Sequence, residues 1–178
     1  IDNGDMLYVL STFICEPIRW LDRFGRRPMT ESEKRAWFLY YRQLGDRMAI
    51  LNVPPQLEDM MQFNRDYEAA NFRYAETNRR IATATTDLLL SFYLPSWLFW
   101  AGRPVVRAFL DAPLLSSMGT DPAPQWLQRV LMGTLNARAA ILRLLPTRQK
   151  PRRLTQLPRP TYPEGYKIEE MGTFHKVR

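Results

Sequence analysis

The chain has 178 residues, of which 46% are hydrophobic and 24% charged, and its formal net charge is +7. This length suits one domain with a sizeable core, and the composition argues against an intrinsically disordered chain. The single cysteine, Cys15, excludes an intramolecular disulfide, and we expect its thiol to be packed in the core because it lies in an apolar run.

The first predicted helix covers residues 6–24. Gly25 supplies its C-terminal stop, and Pro17 predicts a kink because its missing N–H cannot bond to Phe13. Apolar residues recur every three or four positions, as on one stripe of an amphipathic helix: Leu7, Leu10, Ile14, Ile18, Leu21 and Phe24.

The next two helices begin at clear signals. Thr30 and Glu33 form a capping box, and Pro54 with Pro55 breaks the chain before a third helix. The second helix is predicted to turn inward Ala36, Trp37, Tyr40, Tyr41, Leu44 and Met48. The third begins with Leu57, Met60, Met61, Asn64 and Tyr67.

A fourth helix is predicted over residues 77–92, with Ile81, Ala84, Leu88 and Leu89 inward. The apolar stretch 88–101 is too short to span a bilayer and is broken by Pro95, so it is not a transmembrane helix. If exposed, its bulky side chains would suit a membrane surface or a partner groove. We expect them instead to be buried in the core: Trp97, Phe99 and Trp100.

Short helices around residues 104–110 and a last helix over 124–145 complete the predicted domain. The last helix turns inward Leu127, Val130, Leu131, Leu135, Ala139 and Leu142. Because no segment shows strand alternation, the sequence predicts an all-α fold of about five to seven helices over residues 1–145. Residues 146–178 are predicted to form an extended, proline-rich basic tail.

The predicted tail holds eight lysines and arginines against three glutamates. Such a strip could meet anionic lipid, an acidic protein surface or nucleic acid. No fold signature of nucleic-acid binding accompanies the charge, so no nucleic-acid partner is expected. We expect Pro146–Arg178 to dock onto other protein chains of an assembly.

Motifs for catalysis and metal binding are lacking. The one histidine, His175, lies 160 positions from Cys15, which does not make a zinc or iron site. There is no Gly-x-Ser-x-Gly elbow for a nucleophile, and no phosphate-binding loop or dinucleotide fingerprint. No catalytic residue and no metal ligand are therefore predicted.

A cluster of arginines offers the one candidate anion site. Arg73, Arg79 and Arg80, beside Tyr74 and Asn78, could bind a carboxylate or a haem propionate. The alternative, which we expect, is that they pair with neighbouring carboxylates on the same helical segments. These carboxylates are those of Glu68 and Glu76.

Several blocks, in order, resemble the MpaB/rubber-oxygenase (latex-clearing protein) haem domain family. The first helix matches through residues 5–13, 16–20 and Phe24-Gly25. The later blocks are Met29-Thr30 with Glu33, Gly45-Asp46-Arg47-Met48 with Ile50 and Pro54, Phe72-Arg73-Tyr74 with Asn78-Arg79, Gly119 before Trp126, and Pro146-Thr147-Arg148 leading to residues 162–166.

The resemblance implies an all-helical fold that binds haem b through an axial histidine and cleaves isoprenoid carbon–carbon double bonds with dioxygen. It also implies that the segments carrying the axial histidine precede the position matching Asp5. No ligand role is therefore assigned to His175. Met6, Leu10 and Phe13 become candidate walls of a haem pocket, although core packing explains them equally well. Because the chain begins at Ile1, we expect a processed protein, a piece of a longer one or an incomplete sequence.

Two hypotheses about function follow. In the first, the chain is a non-catalytic or degenerate domain that serves as a structural subunit of a larger assembly and binds no cofactor alone. In the alternative, it is the C-terminal part of a haem b-dependent oxygenase whose axial ligand comes from a missing segment or a partner chain. The compartment is left open, with surface contact of Trp97, Phe99 and Trp100 to a membrane as one option.

Overall fold

The computed structural model describes residues 2–146 and residue 167. Residues 2–146 form α-helices and one short 3-10 helix, Ser96–Leu98, and contain no strand, which confirms the predicted all-α fold. In chain order the helices are α1 Asn3–Phe24, α2 Glu31–Arg47, α3 Leu57–Asn71, α4 Glu76–Ser91, α5 Phe99–Arg107, α6 Ala112–Ser117 and α7 Gln125–Leu144.

The distribution of contacts divides the chain into a unit of Ile1–Leu145 and a unit of Pro146–Arg178. In the second unit only Pro146 and Lys167 are described. The predicted extended tail and its role as a docking arm therefore lie outside the described residues. No described helix is long and apolar enough to cross a membrane.

Side-chain caps fix where the first helices begin. The Asp2 carboxylate accepts a hydrogen bond from the Asp5 N–H at 2.8 Å, so α1 starts three residues before its predicted start. The predicted capping box of α2 is confirmed, because Thr30 Oγ1 accepts from the Glu33 N–H and Glu33 accepts from the Thr30 N–H at 2.9 Å. Each such cap stabilises a helix by about 1 kcal/mol.

The core lies where α1 packs against α2 and α3. The predicted stripe on α1 is buried except for Leu21, which is exposed, and its residues up to Ile18 lie in this core. α1 continues through Pro17 as one helix. Each fully buried aliphatic side chain contributes roughly 1.5–3 kcal/mol. The core side chains are Leu7, Leu10, Ile14, Cys15, Ile18, Phe38, Ile50 and Met60.

Other predicted inward faces are wrong in part. On α2, Phe38 is buried instead of Tyr40, Leu44 and Met48, which are exposed. On α7, Val130 is exposed while Ala139 is buried. The apolar pattern of each helix identified which residues share a face, but the helices packed against them decide which face is covered.

The helix predicted over 77–92 is present as α4, but its predicted inward face is wrong. Ile81, Leu88 and Leu89 are exposed, as is Ala84, and Leu90 is the buried residue. The reason is the close contact of α4 with α5, where Gly102 has no side chain and lies against Leu90: a Cβ there would be 2.6 Å from Leu90 Cδ2.

The expected burial of the tryptophans after α4 is also wrong. Trp97 and Trp100 are largely exposed, and only Phe99 is partly buried. The chain turns at Pro95, and the short 3-10 helix then leads into α5. These residues therefore lie at the corner between two helices and not beneath one.

Replacing Gly45 with alanine tests how closely α1 and α2 approach. A Cβ at Gly45 would lie 2.6 Å from Leu10 Cδ2, a methyl group held in the core. We expect Gly45→Ala to lower the free energy of unfolding by about 1–2 kcal/mol. The overpacking cost of ~1–3 kcal/mol exceeds the helix-propensity gain of up to ~1 kcal/mol. Denaturant unfolding followed by circular dichroism measures this.

Gly133→Ala is the matched control, since nothing lies within 4 Å of a Cβ added at that position of α7. There only the propensity gain remains, and the free energy of unfolding is expected to rise by up to ~1 kcal/mol. Equal shifts in the two variants would contradict the close packing of α1 on α2.

Candidate functional site

A cleft of about 590 Å³ lies beside α1, on a different face from the three-helix core. We name it the α1 cleft. α1 contributes a stripe of mostly polar residues at helical spacing, Tyr8, Thr12, Glu16, Arg19 and Arg23. The remaining walls include Glu68 and Phe72 from the end of α3 and its C-cap, Phe109, Leu110, Asp111 and Leu114 around α6, and Gln128 and Met132 from α7.

Tyr8 is the most constrained side chain in the α1 cleft. Its hydroxyl donates a hydrogen bond to Glu68 Oε1 at 3.2 Å. Its ring stacks on Tyr67 with 4.4 Å between centroids and meets the edge of Phe72 at 5.8 Å. Burial, together with the charge of Glu68, raises the pKa of the Tyr8 hydroxyl. Tyr8 is therefore a neutral, positioned hydrogen-bond donor near pH 7.

The stacked Tyr67 is held in turn by α1. Its hydroxyl donates to the Asp5 carboxylate, which raises the pKa of Tyr67 to about 12 and lowers the pKa of Asp5. These contacts join α3 to α1 at both sides of the stack. The position of Tyr8 is therefore set by two helices and not by its own rotamer alone.

The charges on the rest of the α1 stripe are largely engaged. Arg19 forms an ion pair with Glu16 one turn earlier, and the Arg23 guanidinium lies over the Phe24 ring, 4.9 Å from its centroid. Both arrangements are partly exposed and contribute little to stability. They leave a cleft of mixed polarity with no isolated charge cluster.

A second depression, of about 470 Å³, lies between α4, α5 and α6. We name it the apolar groove. Eight of its thirteen lining residues are apolar, and the uncharged polar members are Asn71, Asn78, Thr85, Thr86 and Ser117. The apolar lining residues are Phe72, Ile81, Ala82, Leu89, Val106, Leu110, Leu114 and Met118. Three of these residues, Phe72, Leu110 and Leu114, also line the α1 cleft, so the two depressions adjoin.

The described residues do not fit haem as an iron-ligating set. They include no histidine, and they contain no group of three or more His, Cys, Asp or Glu side chains that could hold a metal ion. Cys15 is buried in the three-helix core, and burial raises the pKa of its thiol to about 11. It lines neither depression. The axial histidine that the resemblance implies is therefore not among residues 2–146.

The three predicted pocket-wall residues lie on the face of α1 that meets α2 and α3. Leu10 is buried in the core and Met6 packs against it. Phe13 is exposed, with its ring stacked 6.0 Å from Tyr41 and its carbonyl oxygen accepting from Trp37 Nε1 at 3.2 Å. None of the three lines either depression, and their role in a haem pocket stays a prediction.

Of the three arginines in the predicted cluster, Arg79 shows the expected pairing with Glu76, whereas Arg73 and Arg80 form no ion pair with Glu68 or Glu76. Arg79 forms a two-point ion pair with Glu76, each N–O distance being 2.9 Å, and Tyr74 donates to the same carboxylate. Arg79 lowers the pKa of Glu76. Glu68 does not join this cluster, because its carboxylate accepts from Tyr8.

The sequence reasoning missed the pair of Tyr8 and Glu68, which are 60 positions apart. Tyr8 stands next to the core stripe of α1, where a tyrosine carries no distinct signal. The spacing of the second stripe, at positions 8, 12, 16, 19 and 23, was visible in the sequence. That stripe could have indicated a second functional face of the helix.

Comparison with known proteins gives consistent matches. A family model described as "ER-bound oxygenase mpaB/B'/Rubber oxygenase, catalytic domain" matches residues 1–158. ER-bound oxygenase mpaB' of Penicillium brevicompactum is 28% identical over 156 residues, which cover 80% of this chain and 36% of that protein. ER-bound oxygenase mpaB of Penicillium roqueforti (strain FM164) is 25% identical over 128 residues, covering 65% and 43%.

The chain thus spans less than half the length of these curated relatives. No solved structure gives a significant match.

The state of Cys15 is testable by thiol labelling of the only cysteine in the chain. With a pKa of about 11, only about 0.1% of the thiol is ionised at about pH 8, and the thiolate is the reactive form. We expect a maleimide or Ellman's reagent to label the native protein slowly and the guanidinium-unfolded protein fast. Equal rates would show that the thiol is accessible and would reopen Cys15 as an iron ligand.

Proposed function

Since this chain belongs to the ER-bound oxygenase mpaB/B'/rubber oxygenase catalytic-domain family, we propose that its described helices bind the apolar chain of an isoprenoid-type substrate within an oxygenase site. In this proposal the iron ligand comes from a further segment of the protein that is not part of this chain, or from a partner chain. The described helices contribute substrate binding and positioning.

The observation that carries the proposal is the apolar groove. Its volume of about 470 Å³ and its lining of Phe72, Leu89, Val106 and Leu110 match an elongated hydrocarbon chain, which is bound mainly by burial of apolar surface. Thr85 and Thr86 are uncharged, so the groove can hold such a chain without desolvating an ion.

The junction with the α1 cleft gives the groove a direction. Leu110 and Leu114 line both depressions, so a chain lying in the groove would end beside the cleft that contains Tyr8. There the neutral hydroxyl of Tyr8, held by Glu68, is a suitable donor to an oxygen atom of a substrate or product.

A second candidate is a non-catalytic domain that serves as a structural subunit. One specific observation favours it: residues 2–146 contain no histidine and no group of three or more His, Cys, Asp or Glu side chains that could hold a metal ion. Under this hypothesis the apolar groove is a contact for another helix. The family fold would then be kept for assembly and not for chemistry.

Binding of an apolar chain is tested by displacement of the neutral dye Nile red with farnesol. Thr85→Arg places a long charged side chain in the groove and should raise the apparent Kd for farnesol about tenfold or more, which is ~1.4 kcal/mol or more. The cause is steric filling and the cost of holding a charge against apolar surface.

Thr83→Arg is the matched control. Thr83 is also an exposed threonine of α4 but does not line the groove, so its farnesol affinity should equal that of the wild type. Unchanged affinity in Thr85→Arg would contradict the proposed binding site, and equal losses in both variants would point to a general disturbance of α4.

The source of the iron ligand is tested by absorption spectra and haem extraction. We expect the protein isolated from its native source, with its co-purifying chains, to show a Soret band, and this chain alone to show no saturable one-to-one haem binding. Native material without haem would favour the structural subunit. Stoichiometric haem on the isolated chain would contradict a ligand supplied by a partner.

A further inference from the structure

The most exposed aromatic side chains of the domain lie together at the corner between α4 and α5. We name Phe92, Tyr93, Trp97 and Trp100 the aromatic corner. Each is between 70% and 78% exposed, although together they span only nine positions of the chain. Exposed apolar groups of this size, when contiguous, mark a binding surface more often than scattered ones do.

The corner is also free of charge. Residues 88–102 contain no Asp, Glu, Lys or Arg. The first charged residues on either side are Asp87 and Arg103, and these pair with each other at 2.9 and 2.8 Å. This ion pair joins the C-terminal part of α4 to α5. The corner between the two helices carries no charge of its own.

Basic residues lie on α5 and on α7, the helix that α5 contacts. α5 begins at Phe99, within the corner, and contacts α7. Apart from Arg103, which is paired with Asp87, the two helices carry four arginines and no acidic residue: Arg107, Arg129, Arg138 and Arg143. Such a distribution attracts an anionic surface over a distance of about 8–10 Å at physiological salt.

We propose that the aromatic corner inserts into the interfacial layer of an anionic lipid bilayer. Tryptophan and tyrosine have an apolar body and a polar N–H or O–H, which suits the depth of the lipid headgroups. The corner is a short projecting turn, formed by Pro95 and the 3-10 helix, and not a groove or a flat helix face of the kind that receives a partner helix.

This attachment is interfacial, because no described helix can cross a bilayer. It is independent of substrate binding, since none of Phe92, Tyr93, Trp97 and Trp100 lines the apolar groove. A membrane-attached domain would receive an apolar substrate from the lipid phase, where such compounds concentrate.

The test is co-sedimentation of the full-length chain with vesicles of phosphatidylcholine and phosphatidylserine, and with vesicles of phosphatidylcholine alone. We expect binding to the anionic vesicles, and we expect Trp97→Ser/Trp100→Ser to reduce the partition coefficient about tenfold or more, ~1.4 kcal/mol or more. Trp126→Ser is the matched control. Trp126 is 65% exposed but lies on α7, outside the corner, so its loss should leave binding unchanged.

Quenching by brominated lipids separates the corner from the basic residues 147–178, which also favour anionic vesicles. Trp97→Phe/Trp100→Phe keeps an apolar corner but removes its fluorophores. It should bind like the wild type and lose most of the quenching, whereas Trp126→Phe should keep it.

Each outcome decides the proposal. Loss of binding in the serine variant, with loss of quenching in the phenylalanine variant and retained far-UV circular dichroism, supports insertion of the corner. Undiminished binding of the serine variant would overturn the proposal and assign vesicle binding to the basic residues of the chain, which lie outside the aromatic corner. Absence of vesicle binding, or equal loss in Trp126→Ser, would also overturn it and leave the corner as a contact for protein.

Discussion

The described domain depends on the burial of one face of α1 against α2 and α3. At its centre, Gly45 lets Leu10 approach the backbone of α2, while Ile14 and Met60 are fully enclosed. Because this face is fixed, the orientation of every other α1 side chain is fixed as well. The stripe that begins at Tyr8 faces the α1 cleft for that reason, so the packing that stabilises α1 also positions the candidate site.

Periodicity in the sequence was sufficient where one helix had a complete partner. It located the core face of α1. The spacing of Thr30 and Glu33 located the capping box of α2, and the family resemblance is confirmed over residues 1–158. It was insufficient for α4, where Ile81 and Leu88 fit a stripe equally well but are exposed. A hydrophobic stripe shows that a face requires cover, and it does not show which element of the chain supplies that cover.

The candidate site was harder to predict because it is built from contacts between distant positions. The hydrogen bond from Tyr8 to Glu68 depends on how α3 lies along α1, and the apolar groove requires three helices at once. Met6, Leu10 and Phe13 were chosen from the resemblance without that information. They lie on the stripe directed at α2 and α3, about a third of a turn from the stripe that lines the cleft.

The two halves of the domain differ in how completely they bury their apolar residues. α1, α2 and α3 share a core of eight buried side chains, whereas the buried hydrophobic residues from α4 onward are Leu90 and Leu115 with three alanines. Large apolar side chains are exposed on α4, α5 and α7, as they also are on the outer faces of α1 and α2. Exposed apolar surface of this extent has a cost in water that a bound chain, a partner or a lipid surface removes. Whatever binds there will therefore stabilise α4–α7 by an amount set by its affinity and concentration.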